Sequence, residues 1–234
     1  MRPDNPLRAA VILTLAIAGC FAVFGIWPGI DLAVTGLFYD PARGFAWEGN
    51  PVLEAGRHLV WWLSIGMALS ALVAAPLALW RGRAVLGAGA KVWGFILLVY
   101  VLGPGVLVHG VLKAHWGRAR PADVTVFGGT ARFTPPHEMT DQCSRNCSFV
   151  AGEMSGAVAL SLCLLVLVAA QGPRLSPWLR RGAVAVAVAC PLFAGAQRIM
   201  AGRHFLSDVL LAAGFVALVA LMLSFLLPKR EKSG

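Results

Sequence analysis

Six runs of apolar residues, each close to the length that crosses a lipid bilayer, constrain this chain more than any other feature. A membrane-spanning helix needs about 20 consecutive apolar residues. The runs cover residues 9–27, 58–80, 91–112, 153–171, 182–197 and 208–227. Charged residues make up 13% of the chain, against roughly 25% in soluble domains, and this deficit excludes an ordinary soluble fold. We therefore predict an all-α integral membrane bundle of six transmembrane helices, with residues 1–234 forming a single membrane-embedded domain.

The first run has a second interpretation as a secretory signal. Arg2 and Arg8 precede it, and residues 17–20 read Ile-Ala-Gly-Cys, which is similar to a lipoprotein cleavage site. The apolar run continues past this point to Trp27, however, and five more runs follow. We therefore expect a first transmembrane helix.

The lysines and arginines between the runs predict which side of the membrane each loop occupies. Cytoplasmic loops carry an excess of these residues. With six spans, one face would receive four basic segments: residues 2–8, 81–91, 172–181 and 229–232. We therefore expect both termini in the cytoplasm, and the bacterial inner membrane as the location. The net charge of +9 does not indicate a nucleic-acid partner, because the basic residues do not cluster in one stripe.

Two loops on the opposite, outer side break the charge rule. Residues 113–152 and 198–207 carry Lys113, Arg118, Arg120, Arg132, Arg145, Arg198 and Arg203. Positive charge on this side needs a reason, and binding an anion is the simplest one. Arg can hold the oxygens of a phosphoryl group with a bidentate fork. The start of the fourth span would add free backbone N–H groups, with Ser148 or Asn146 as its cap.

The stretch 197–208 gathers charge in an otherwise apolar chain. If Asp208 lies in the first turn of the last helix, His204 stands just outside that helix, where the positive end of its dipole would act on both residues. A histidine with a carboxylate four residues further on, beside arginines, suits a nucleophile that attacks phosphorus. The alternative is an interfacial loop whose charges only anchor helix ends.

These segments carry a resemblance to the type-2 phosphatidic acid phosphatase superfamily. Residues 113–121 contain a lysine, six residues and then Arg-Pro, which resembles the first motif of the family. Residues 198–208 contain Arg, five residues, His, three residues and Asp, which resembles the third motif. The resemblance implies a six-helix membrane bundle that removes phosphate from lipid phosphates without a metal or other cofactor.

The resemblance also assigns a role to each matching residue. His204 would be the nucleophile that carries the phosphoryl group, and Asp208 would be its orienting partner. The phosphate would be held by Lys113, Arg120 and Arg198. Arg118, inside the first motif, would either touch the substrate or bind only headgroups.

The chain departs from the family pattern at two places. The second motif is usually Pro-Ser-Gly-His, and here residues 150–153 read Val-Ala-Gly-Glu. Glu153 thus stands where a histidine would protonate the leaving group, and Ser148 or Ser155 is the candidate for the missing phosphate-binding hydroxyl. Glu153 is a helix-start residue, a base that positions water, or an acid whose pKa a bound phosphate raises. Because nearby cations favour its ionised form, substrates with good leaving groups are expected to be preferred. The third motif opens with Gln197 instead of Ser.

The sequence therefore predicts a membrane lipid phosphatase with its active site at the periplasmic interface. It resembles bacterial envelope-lipid phosphatases, including those acting on lipid A, that carry Gly-Glu in the second motif. Lipid A, an isoprenyl diphosphate and phosphatidylglycerophosphate all present an anionic head on an apolar anchor. The alternatives are a phosphotransferase between lipids, or an impaired binder of lipid phosphates. A transporter or channel fits less well, because the charges lie at span ends instead of near the midplane.

The remaining polar residues predict little further chemistry. The other histidines, His109 among them, have no metal-ligand spacing and are expected at helix ends or interfaces. Cys143 and Cys147 lie close together in an outer loop, where an oxidising compartment would permit a disulfide, and the sequence leaves this pairing open. The expected partners are the bilayer and the lipid substrate, with no obligate protein partner.

Overall fold

Each apolar run forms a long helix in the computed structural model, which describes residues 5–227. The bundle is built from α1 (Pro6–Ile26), α3 (Pro51–Arg81), α4 (Ala90–Tyr100) with its continuation to His115, α6 (Gly152–Gln171), α7 (Pro177–Met200) and α8 (Leu206–Leu223). The prediction of an all-α, six-helix membrane bundle is confirmed. An even number of spans places both ends of the described chain on the same side of the bundle, and we call the opposite side the outer side.

Two helices begin well before the apolar runs that predicted them. The second run was expected from residue 58, but α3 begins at Pro51, and Asn50 caps it by accepting hydrogen bonds from the N–H groups of Val52 and Leu53. Ser176 likewise caps α7, which was expected from residue 182. Hydropathy marks the part of a helix that lies in the bilayer, whereas a proline in the first turn and a polar cap mark where the helix starts.

The third span changes its helix type along its length. It passes from α4 into a π-helix (Val101–Leu112) and ends in the short α5 (Lys113–His115). Pro104 lies inside the π segment and has no N–H to donate, so the regular α-helical hydrogen bonding cannot continue through it. His109 lies in the π segment and Lys113 directly follows it, so both are near the outer end of the span.

α6 is the central helix of the bundle. Over its most apolar window 56% of the residues are buried inside the protein, against 6% for α1, which is largely exposed. Small residues such as Gly156, Ala157 and Ala159 let the neighbouring helices approach it closely. The start of α6 therefore lies among the outer ends of the other spans.

A cap of short elements covers the outer side of the bundle. It contains α2 (Gly29–Gly36), the antiparallel strands β1 (Tyr39–Asp40) and β2 (Gly44–Phe45), and two single 3₁₀ turns at Pro121–Asp123 and Thr125–Phe127. The rings of Tyr39, Phe45 and Phe127 pack together with centroids 5.2–5.6 Å apart. Cys143 and Cys147 form a disulfide in this cap, which settles the question that the sequence left open.

Candidate active site

A cavity of about 640 Å³ opens at the outer side of the bundle, where the third span ends and α6 begins. Its wall contains most of the residues that the sequence singled out: Lys113, Arg120, Glu153, Arg198 and His204. The structure thus brings these distant segments together, as the topology predicted. Arg118, Ser148 and Asp208 lie behind the wall and are fully buried.

His204 lies in the tight turn between α7 and α8. The backbone N–H groups of Arg203 and His204 both donate to the carbonyl oxygen of Arg198, at 3.0 and 3.2 Å, which fixes the turn. The imidazole Nδ1 is 2.7 Å from the carbonyl oxygen of Ser148. A carbonyl only accepts, so Nδ1 carries the ring proton and Nε2 keeps the lone pair.

Its surroundings keep the His204 imidazole neutral. Burial lowers the pKa of His204 well below its usual value, and the positive charges of Lys113 and Arg120 lower it further. The hydrogen bond to the Ser148 carbonyl opposes this shift but does not reverse it. A neutral ring with a free Nε2 is the form that can act as a nucleophile.

Asp208 supports this histidine indirectly. Its Oδ2 lies 4.0 Å from Nδ1 of His204, which is too far for a hydrogen bond. The same oxygen instead accepts from the hydroxyl of Ser148 at 2.5 Å and from the N–H of Phe205 at 3.0 Å. Asp208 is therefore linked to His204 through Ser148, whose carbonyl binds the ring.

Ser148, which the sequence predicted as a phosphate ligand, does not line the cavity. Its side chain is fully buried, and its hydroxyl donates to Asp208. It does not cap α6 either, because that helix starts at Gly152 with Ala151 in the cap position and no side-chain cap. Sequence spacing placed Ser148 near the site correctly but could not show which way its hydroxyl faces.

Arg118 likewise does not line the cavity. Its side chain is 0% exposed, and its Nη1 and Nη2 lie 2.6 Å from an oxygen of Asp208 and 2.9 Å from an oxygen of Asp31. Ser207 completes this group by bonding to Asp31 and Arg118. We call Asp31, Arg118, Ser207 and Asp208 the buried cluster. Burial and Asp208 raise the pKa of Asp31, while Arg118 opposes the rise.

Lys113 and Arg120 are held by backbone oxygens on the cavity wall. Nζ of Lys113 donates to the carbonyl of Cys147 at 2.8 Å, and Nη2 of Arg120 donates to the carbonyl of Asn146 at 2.7 Å. Neither cation pairs with a carboxylate among residues 5–227. Their charges therefore remain available to an anion beside His204.

Glu153 and Arg198 belong to a second group of charges that faces the cavity. Glu153 lies 2.7 Å from Nη1 of Arg57 and 3.0 Å from Nε of Arg198. Glu54 bridges the same two arginines, at 2.6 and 3.2 Å. We call Glu54, Arg57, Glu153 and Arg198 the cavity cluster. Gln197 braces it, since its amide donates to Glu54 at 2.9 Å and accepts from Arg198 at 2.5 Å.

Sequence reasoning missed Glu54 and Arg57. Both lie in the first turns of α3, ahead of residue 58 where the apolar run begins, so hydropathy alone leaves them outside the span. Pro51 behind a capping Asn50, followed by an acid and a base three residues apart, was the available signal of a helix start. The two departures from the family pattern, Gln197 and Glu153, are both explained by these neighbours.

A second, apolar cavity of about 220 Å³ adjoins the first. It lies between α3, the third span and α6, and includes Val60, Ile65, Ala68, Tyr100 and Pro104 in its wall. The two cavities share the side chains of Arg57, Trp61, His109 and Glu153. The charged cavity thus continues into an apolar one between the long apolar helices, which suits an anionic head on an apolar anchor.

Within residues 5–227, no three His, Cys, Asp or Glu side chains converge as a metal site would require. The cations on the cavity wall can themselves neutralise phosphoryl oxygens, because Lys113 and Arg120 have no carboxylate partner. The arrangement can therefore bind a phosphate next to a neutral histidine nucleophile.

Comparisons with known proteins agree with this geometry. A sequence model of the PAP2 superfamily matches residues 92–232. The lipid A 4'-phosphatase of Rhizobium etli is 31% identical over 240 residues, which cover 94% of this chain and 90% of the relative. The lipid A 4'-phosphatase of Francisella tularensis subsp. novicida is 37% identical over 122 residues, 52% of each chain.

A solved structure has the same fold. The crystal structure of a transmembrane PAP2 type phosphatidylglycerolphosphate phosphatase from Bacillus subtilis aligns with a TM-score of 0.59, over 92% of this chain and 93% of the other. The two sequences are 20% identical, so this likeness concerns the fold alone.

Proposed function

This chain belongs to the PAP2 superfamily and is an integral membrane lipid phosphatase, and from that premise we propose that it hydrolyses a phosphate monoester of a lipid A-type glycolipid through a phosphohistidine on His204. The observation that carries the proposal is the environment of His204. Its Nδ1–H is bound by the Ser148 carbonyl, burial keeps the ring neutral, and the unpaired cations Lys113 and Arg120 stand beside it.

The reaction has two steps. The phosphoryl oxygens are bound by Lys113, Arg120 and Arg198, and the Nε2 lone pair of His204 attacks phosphorus. The bond to the lipid oxygen breaks, and that oxygen leaves with the electron pair and takes up a proton. A water molecule then attacks the phosphohistidine and gives a proton to Glu153. The N–P bond breaks toward His204, which releases phosphate and restores the neutral ring.

Glu153 suits the role of the base in the second step. Its Oε1 accepts a hydrogen bond from Nη1 of Arg57 at 2.7 Å, while its Oε2 lies 3.0 Å from Nε of Arg198 but accepts no hydrogen bond from the described residues. Such a carboxylate is better placed to take a proton from water than to give one to a leaving oxygen.

The choice of lipid A over the other candidate lipids rests on the relatives. Two of them are named lipid A 4'-phosphatases and align over 86% or more of this chain. The adjoining apolar cavity provides space for part of an acyl chain. An isoprenyl diphosphate and phosphatidylglycerophosphate are the competing substrates, because they offer the same combination of head and anchor.

Release of phosphate from these three lipids tests the proposal. Purified protein in excess chelator should release phosphate fastest from the lipid A-type monophosphate, and acid-labile phosphate should appear on the protein. His204→Ala should insert in the membrane and lose nearly all turnover, by about 10³-fold or more. Normal phosphate release by His204→Ala would rule out the covalent route. Loss of activity on chelation, with rescue by one divalent ion, would overturn the metal-independent chemistry.

We further propose that the protein lies in a bacterial inner membrane with the cavity facing the periplasm and both termini in the cytoplasm. Two observations support this orientation: the lysine and arginine excess on the opposite side, and the disulfide in the outer cap. A cysteine introduced at the exposed Thr130 should react with a membrane-impermeant thiol reagent in intact cells, while a terminal cysteine should not. The reverse labelling pattern would overturn the orientation.

A further inference from the structure

The first step of the proposed reaction needs a proton donor that has not yet been assigned. An oxygen that leaves from a sugar or alkyl phosphate is a strong base, and general acid catalysis of its departure contributes about 10²–10⁴ in rate. Glu153 is bound by Arg57 and Arg198, and arginine does not give up its proton in proteins. The donor must therefore be another group on the cavity wall.

His109 is free for this role. It lies in the π segment of the third span and is among the residues shared by the charged and the apolar cavity. Its ring makes no hydrogen bond or salt bridge with any other residue in the range 5–227, whereas His204 is bound by the Ser148 carbonyl. It is thus a proton-carrying side chain with unoccupied nitrogens at the junction of the two cavities.

Its position matches that of the leaving oxygen. The phosphoryl group binds in the charged cavity and the lipid anchor extends into the apolar one, so the bond that breaks lies between them. Gly152 allows the His109 ring to pack against the start of α6, because a Cβ there would lie 2.9 Å from its Cε1 and 3.1 Å from its Nε2. His109 therefore lies beside Glu153, one turn before Lys113.

Resting on the proposed function, we propose that His109 is the general acid of the phosphorylation step. Its imidazolium N–H gives the proton to the lipid oxygen as the P–O bond breaks and Nε2 of His204 forms the N–P bond. The products of this step are an alcohol, phospho-His204 and a neutral His109. The ring then regains a proton from water in the open cavity, which also accepts the proton released by Glu153.

The charges around His109 make this protonation depend on substrate. Lys113 lines the same cavity, and its positive charge opposes a positive charge on the ring. A bound phosphate adds negative charge on the same side. Binding of the substrate phosphate therefore favours the protonated form of His109, which the first step requires.

A matched pair of substrates tests the assignment. Dodecyl phosphate leaves an alkoxide and needs an acid, whereas dodecyl diphosphate leaves a phosphate ester, a much weaker base. His109→Asn should slow phospho-His204 formation from dodecyl phosphate about 10²-fold or more and from dodecyl diphosphate only a few-fold. The variant would thus acquire the preference for good leaving groups that the sequence predicted for the parent chain.

His115→Asn is the control, since His115 is exposed at the end of the same span and lines neither cavity. It should match the parent protein on both substrates. Equal slowing of both substrates by His109→Asn and His109→Gln, or no slowing by either variant, would overturn the proposal. If the parent forms no phospho-His204, the covalent route fails instead, and steady-state phosphate release from the two substrates still decides the role of His109.

Discussion

The buried cluster and the cavity cluster use the same chemical groups in opposite surroundings. Both alternate carboxylates with guanidinium groups at hydrogen-bonding distances of 2.6–3.2 Å. The side chains of Asp31, Arg118 and Asp208 are 0% exposed, whereas those of Arg57 and Glu153 are 22% and 26% exposed. Water reaches one group and not the other, so equal geometry has unequal consequences for stability.

This difference in exposure to water indicates that the buried cluster is structural and that the cavity cluster is open to a ligand. The charges of the buried cluster cannot be exchanged for water, and its position fixes Ser148 and hence His204. Arg198 in the cavity cluster can exchange its carboxylates for a phosphate, because an incoming anion replaces an anion. The contrast predicts that the two clusters fail differently when they are broken.

The largest expected effect is the loss of Arg118. Arg118→Met leaves Asp31 and Asp208 buried with no cation, which should cost about 3–5 kcal/mol of folding free energy. Arg57→Met breaks two partly exposed pairs and should cost at most about 1 kcal/mol for each. Thermal unfolding in detergent measures both variants. Equal destabilisation by the two would erase the distinction between the clusters.

A change in the cavity cluster should act on chemistry and not on stability. Glu153→Gln keeps the size of the side chain but removes the carboxylate that we propose as the base of the second step. Dephosphorylation should slow by about 10²–10⁴-fold, so that phospho-His204 accumulates while the unfolding temperature stays close to that of the parent. If single-turnover phosphorylation and steady-state release both match the parent, Glu153 is only a helix-start residue.

The smallest expected effect is on the pH dependence of stability, and it concerns His204, which lies between the clusters. Its pKa in the folded protein is far below the value of about 6.5 that it has when unfolded. Between these values the unfolded chain binds the extra proton, so stability rises with pH and is fully present above about pH 6.5.

Acidification below that point should therefore lower the free energy of unfolding, by at most about 1.4 kcal/mol per pH unit for this one group. His204→Asn should flatten the profile of unfolding temperature between pH 6.5 and 5. An unchanged profile in that variant would show that another group is responsible for the acid sensitivity.

How far the sequence predicts this molecule depends on the kind of interaction involved. Hydropathy predicts six spans, and loop charge predicts that Lys113, Arg120 and His204 meet on one side, because both are local properties of the chain. The sequence alone could not show that Arg118 faces inward while Arg120, two residues later, lines the cavity. That distinction depends on Asp31, which comes from a distant segment.

The same reason explains the missed residues. Arg57 and His109 carry no motif, and their importance arises only when α3 and the π segment pack against the start of α6. Glu153 was recognised as a departure from the family pattern, but its partners were not. The side chains that distinguish this site from the family pattern are thus the ones that sequence spacing describes least.

Three successive carbonyl groups, those of Asn146, Cys147 and Ser148, hold Arg120, Lys113 and His204. Every amino acid supplies such an oxygen, so the route of the main chain is what matters here. Asn146 bends this route with a φ of +53°, and the Cys143–Cys147 bridge closes it. Related enzymes could therefore replace several letters of this segment and keep the same phosphate pocket. Sequence motifs defined by residue types would then miss residues 146–148, although Arg120, Lys113 and His204 are all bound by the main chain there.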